Sequence, residues 1–145
     1  MKLVLDCSAD SDAIAFPWGL PGLANHRWFH LLRLPQADGW SLLRGEGEPP
    51  VALFVVDPWS YFPDYRLQLP FYARLTLELE RDEDAAVRCV VVPNDPECAG
   101  PSVNLHAPIV INPRTRVARQ VLVDEPQYAI HTPITQTKRQ EASLP

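Results

Sequence analysis

Hydrophobic residues in this chain come in short runs, each closed by proline, glycine, asparagine or aspartate. Extended stretches are predicted at residues 13–16, 28–34, 40–43, 51–56, 87–92, 102–105, 109–112, 117–123 and 128–134, with a weaker one at 2–5. Along 87–92, Val87, Cys89 and Val91 share one face, the two-residue period of a strand. Apolar residues fill both phases around 109–112, which predicts a strand covered on two sides rather than on one. Residues 66–80 stay open between two readings. Leu75, Leu77 and Leu79 alternate with Thr76, Glu78 and Glu80 at strand period, while a helical turn near 70–74 fits as well. Many short strands separated by turn signals predict an all-β fold. The expectation is a small single-domain antiparallel β-barrel of about nine short strands with little helix, because closure removes exposed edges. It is expected to span residues 1–135, with 136–145 as a polar, flexible tail.

Composition sharpens this picture. Sixteen prolines in 145 residues favour fixed turns over long helices. The turns are specific. Asn112-Pro113 has the signature of a β-turn, and Pro108 is expected to mark a sheet corner because it cannot donate to a ladder. The net charge is −5, and the acidic excess is spread over both halves, which argues against gripping phosphate backbones and suits a basic protein partner better. No apolar run is long enough to span a bilayer, and the N-terminus has the wrong pattern for a signal peptide. Three cysteines, Cys7, Cys89 and Cys98, cannot all pair internally, so a reduced, cytoplasmic protein is expected.

Candidate chemistry is sparse. His26 and His30 fall on a common face, but no tight cysteine or histidine pair elsewhere completes a zinc signature; no metal and no cofactor are expected. Cys89, on the apolar face of a strand, reads as an inert buried thiol. There is no G-x-S-x-G elbow, and Gly45-Glu46-Gly47-Glu48 sets carboxylates where a phosphate would need bare amides. No catalytic residue is assigned, and an enzyme is not expected. The acidic run 78–84, with Glu78 and Glu80, is either a solvated loop or a lure for a basic partner. Arg114, Arg116 and Arg119 are either exposed turn residues or a nucleic-acid contact. Trp59, Tyr61, Phe62 and Tyr65 lie on a proline-held loop and are either a rigid contact surface or a plug closing one barrel end; Tyr61 and Tyr65 are the two expected to keep polar tips in water. A barrel enzyme or small-ligand carrier using an apolar interior is the alternative class.

Three ordered blocks resemble one family. Phe16-Pro17-Trp18-Gly19-Leu20-Pro21-Gly22 resembles the F-P-x-G-L-P-G signature near the start of FliW, the flagellar assembly factor. Phe54-Val55-Val56-Asp57-Pro58, followed by Phe62-Pro63-Asp64-Tyr65, is similar to that family's central block. Val103-Asn104-Leu105-His106-Ala107-Pro108-Ile109-Val110-Ile111-Asn112, then Arg119-Gln120-Val121, is similar to its V-N-L-x-A-P-I-V-I-N…Q-V block. Two departures stand out: Leu23 where the family usually has phenylalanine, and Leu43-Arg44-Gly45 where it usually has leucine-glutamine-serine. Both are expected in loops or at strand ends, affecting surface contacts and not the fold. The resemblance implies a cytoplasmic, non-enzymatic protein with two partners. One is flagellin before export; the other is CsrA, a small RNA-binding dimer that represses flagellin messenger RNA. It implies no direct nucleic-acid contact, no membrane and no small-molecule substrate. Asn104 and Asn112 are expected to serve the backbone, and the binding surface to lie on the loops.

Overall fold

The computed structural model describes residues 13–134, so the predicted strand at 2–5 and the predicted tail lie outside the described residues. Nine strands follow in order: β1 (Ile14–Ala15), β2 (Trp28–Arg33), β3 (Trp40–Gly45), β4 (Val51–Val56), β5 (Ala86–Asp95), β6 (Gly100–Val103), β7 (Ile109–Asn112), β8 (Val117–Gln120) and β9 (Thr132–Pro133). The one α-helix among the described residues, α1 (Phe71–Thr76), lies between β4 and β5.

Seven strands close a ring in the order β4-β3-β2-β1-β8-β7-β5, with β5 pairing back to β4. β6 and β9 extend from the far part of β5. The all-β barrel is as expected, with one difference in pairing: β1 runs parallel to β8, held where the Ala15 N–H donates to Arg116 O (2.9 Å). Short β1 sits between the start and the end of the chain's strand order, and its partners on either side leave it no other direction. Boundaries also differ. The predicted strand 87–92 runs further than its pattern indicated: β5 continues through Pro93 to Asp95 beside β6, with a register irregularity between Val92 and Asp95 that accommodates the proline. The stretch 128–134 narrows to two ladder residues, Thr132 and Pro133.

The barrel interior is filled by Ile14, Phe16, Phe29, Leu43, Val55, Ile109, Ile111 and Ala118 among others. Phe16 and Phe29 meet edge to face at 4.8 Å, and burying each is worth about 1.5–3 kcal/mol. A second group, around Val56, Tyr65, Cys89, Val103 and Leu105, closes one end. A third forms outside the barrel wall, where Ala73 in α1 and Leu77 just past its end pack with Val110 and Val121.

That third group explains the doubly apolar pattern of β7. All four β7 residues are buried. Ile109 and Ile111 point inward, while Val110 lies among the residues packed with Ala73 of α1, and the Asn112 side chain donates to Leu77 O (2.7 Å) and Glu78 O (3.3 Å). The ambiguity at 66–80 resolves toward the helical reading, and no strand forms there. Residues 71–76 are helical, and Leu77 to Glu80 then alternate buried and exposed.

The three motif blocks hold turns and corners. Gly19 and Gly22 take φ of 69° and 78°, a region open to glycine and costly for side chains. Leu20 is buried, while Pro17 and Pro21 stay exposed. Asp57 accepts from the Trp59 N–H (3.0 Å) and so caps a 3₁₀ turn that begins at buried Pro58. Asn104 Oδ1 accepts from the N–H groups of His106 and Ala107, and Gln120 Nε2 donates to Ala107 O. Together they satisfy the corner that ends at Pro108, whose carbonyl accepts from Val121 N–H. Asn112 Oδ1 accepts from Arg114 and Thr115 N–H.

The two departures from the family pattern lie in a loop and at the end of β3, as expected, but they reach the core as well as the surface: Leu43 is buried and Arg44 exposed. Leu23 packs against the interior group. Gly45 is buried, and a Cβ there would lie 2.7 Å from Val51 Cγ2 and 3.0 Å from Phe29 Cε2.

Candidate partner-binding surface

The aromatic loop divides into an inner and an outer part. Tyr65 is 4% exposed; its hydroxyl donates to Leu105 O (2.9 Å), and its ring meets Tyr128 edge to face at 4.6 Å. Burial pushes its hydroxyl pKa well above the ordinary tyrosine range. The expectation that Tyr65 keeps its tip in water is therefore corrected, because the barrel end offers it a carbonyl and an apolar wall. Tyr61 is half-buried, and its hydroxyl accepts from Trp40 Nε1 (2.9 Å) and donates to Asp38 O (3.2 Å) at the surface. Phe62 is half-buried against the same group. Trp59 is the exposed member, with its indole N–H donating to Tyr65 O (2.8 Å).

Trp59 lines an open cleft of about 560 Å³ together with Arg66, Leu67, Gln68, Asp82, Glu83 and Ala85. The fold thus joins the aromatic loop to the middle of the acidic run. Glu78 and Glu80, both exposed, line a neighbouring cleft of about 440 Å³ with Leu79, Asp84, Asn112, Pro113 and Arg114. Asp82–Asp84 forms a 3₁₀ turn, and Asp84 Oδ2 accepts from Arg81 N–H.

The arginines near the Asn112-Pro113 turn do not act as one cluster. Arg114 is exposed, whereas the Arg119 guanidinium lies 4.3 Å from the Trp18 ring and 4.9 Å from the Tyr72 ring and donates to Thr76 Oγ1 (3.0 Å). Such stacking is worth about 0.5–1 kcal/mol per exposed ring contact, and here it fastens the loop before β2 to α1. No sequence spacing links residues 18, 72 and 119.

His26 and His30 face different groups. His26 is buried, with Nε2 against Pro49 O (2.7 Å); His30 Nε2 meets Glu46 Oε2. Cys89 is fully buried, and loss of water pushes its thiol up to about 12, so little nucleophilic thiolate exists near neutrality.

One charged cluster has no counterpart in the sequence reading. His131 Nδ1 lies 2.7 Å from Asp95 Oδ2 and Nε2 lies 3.3 Å from Glu97 Oε2. Asp95 is itself buried and accepts from Ser102 Oγ (2.7 Å). Asp95, Glu97 and His131 each bring one ligand atom to within 4.8 Å of the others, the donor set a divalent transition metal would use. Both ring nitrogens, however, already face carboxylates, an arrangement satisfied by an imidazolium. Hydrogen bonds from Ser102 and His131 hold the Asp95 carboxyl below its usual range, and the bond to Asp95 raises His131.

The family model for the FliW protein matches residues 6–134. The chain belongs to the FliW family. A flagellar assembly factor FliW of Moorella thermoacetica is 31% identical over 118 residues, 81% of this chain and 75% of that one. The corresponding protein of Oceanobacillus iheyensis is 30% identical over 116 residues, 80% of this chain and 78% of that one. A crystal structure of the flagellar assembly factor FliW superposes with a TM-score of 0.75 at 28% identity, covering 85% of each chain. Membership in the FliW family accounts for the three motif blocks as the turns and corners of this barrel. Among the described residues no helix is long and apolar enough to cross a membrane.

Proposed function

We propose that this protein is a cytoplasmic, non-enzymatic partner switch in flagellar assembly. It binds the translational repressor CsrA and so relieves repression of flagellin messenger RNA, and it binds flagellin before export. When flagellin leaves, freed protein captures CsrA and translation resumes. Family membership over most of the chain carries this reading, since the relatives are named flagellar assembly factors. Exposed Trp59 beside Asp82 and Glu83, and the neighbouring Glu78 and Glu80, favour a protein partner with basic groups. The switch needs only a difference in affinity, and each tenfold preference corresponds to about 1.4 kcal/mol.

Calorimetric titration of the purified protein with CsrA and with flagellin from the same genome tests the proposal. A saturable complex with each at micromolar or lower concentration is expected. No heat and no co-migration with either would overturn it.

A further inference from the structure

Helix α1 shows an unusual division of its faces. Ala73 is fully buried and Leu77, just past the helix end, is 1% exposed; both pack against the barrel wall. Tyr72 and Thr76 turn to the side and hold Arg119. Phe71 and Leu75, one helical turn apart and therefore on one face, are 70% and 64% exposed. A surface helix normally places polar side chains there. Trp18, 48% exposed, continues the apolar surface across the Arg119 guanidinium. Scattered apolar residues on a surface need no explanation, but a contiguous set marks an interaction site.

Two arginines sit beside this set, and exposed Glu78, whose N–H donates to Leu75 O (3.3 Å), brings one carboxylate to its edge. Arg119 sits between the two rings and donates to a neutral hydroxyl. Arg27, next to Trp18, donates to the carbonyls of Pro17 (2.6 Å) and Ala24 (3.3 Å). Both guanidinium groups are thus bonded to neutral oxygens and keep their charge available to an incoming anion. A guanidinium flanked by apolar surface is partly dehydrated, which strengthens a carboxylate contact.

We propose that the outward face of α1, together with Trp18, Arg119 and Arg27, docks a protein segment carrying aliphatic side chains beside carboxylates. None of these residues lines the cleft beside Trp59, whose Asp82 and Glu83 suit the opposite charge, so the two surfaces select different partners. The inference rests on the partner-binding reading above and assigns one partner of that reading to this face.

The test uses the full chain with Phe71→Ser/Leu75→Ser and, separately, Arg27→Glu, titrated with flagellin and with CsrA. Both changes lie on exposed side chains, and circular dichroism melting verifies the fold. The expected result is that both variants lose at least tenfold affinity for the same partner and that added salt weakens the wild-type complex with it. Wild-type affinity in the Phe71→Ser/Leu75→Ser protein overturns the proposal, as does tighter binding by Arg27→Glu. A single-stranded RNA oligonucleotide that binds the wild type and not Arg27→Glu, or self-association of the wild type lost in the double variant, would also overturn it by assigning the face to another occupant. If the wild-type protein binds neither flagellin nor CsrA, the functional reading itself fails, a result distinct from the failure of this site.

Discussion

Tyr65 is held by a carbonyl forty residues further along the chain, and that separation explains why its role could not be read from its neighbours. A proline-bounded aromatic loop has the composition of a contact surface and of a plug alike; only Leu105 and Tyr128 decide between them. Tyr65→Phe is expected to leave the Leu105 carbonyl short of a donor and to cost about 1–2 kcal/mol, measured as a lower midpoint in urea with an unchanged slope. An unaltered midpoint would mean that water replaces the hydroxyl. Gly45 gives the opposite lesson. Its neighbours Val51 and Phe29 stand where a Cβ would go, so Gly45→Ser is expected to destabilise by about 1–3 kcal/mol through overpacking. The same urea titration tests this, and wild-type stability would show that β3 and β4 shift apart freely. Asn104 and Asn112 were legible from sequence, because an asparagine beside a turn or a proline has few other uses, and each bonds the backbone as expected.

At the scale of elements, the doubly apolar run 109–112 was readable as a strand covered twice, and the cover is the barrel interior on one face and α1 on the other. What the run could not show is the identity of the cover. The helix hid in an ambiguous pattern because it is only six residues long and gives way at once to a turn at Leu77 and Glu78, so its leucines also fit a two-residue alternation. The His131 clamp was invisible for a different reason: its partner Asp95 is 36 residues away, at the end of β5. It ties the segment before β9 to the turn between β5 and β6. His131 has its pKa raised above 6.5 by the bond to Asp95, so its contribution is complete below that value and fades as pH rises through the folded-state pKa. Asp95 is depressed below 3.8, so its contribution is complete above that value and fades as pH falls further. The stability difference between wild type and His131→Asn is therefore expected to be largest at about pH 5–6 and to shrink as pH rises through the raised folded-state pKa of His131. A difference that is flat across thermal melts from pH 5 to 8 would contradict the clamp.

At the scale of the whole molecule, barrel closure was legible because many short strands with proline-bounded turns leave few other ways to cover edges. The parallel β1–β8 contact and the placement of α1 outside the wall depend on pairings between distant segments. The surface that results carries acidic clefts beside Trp59 and, on α1, an apolar face with arginines. A switch between two partners requires that binding of one diminish binding of the other, through overlap or through coupled surfaces. The most direct measurement is competition in solution. Labelled CsrA is first bound to the protein, flagellin is then titrated in, and fluorescence anisotropy follows the label. The account predicts that flagellin releases CsrA in a saturable way, returning the anisotropy to that of free CsrA. An anisotropy that holds or rises while flagellin is shown to bind would mean independent sites and would contradict the switch.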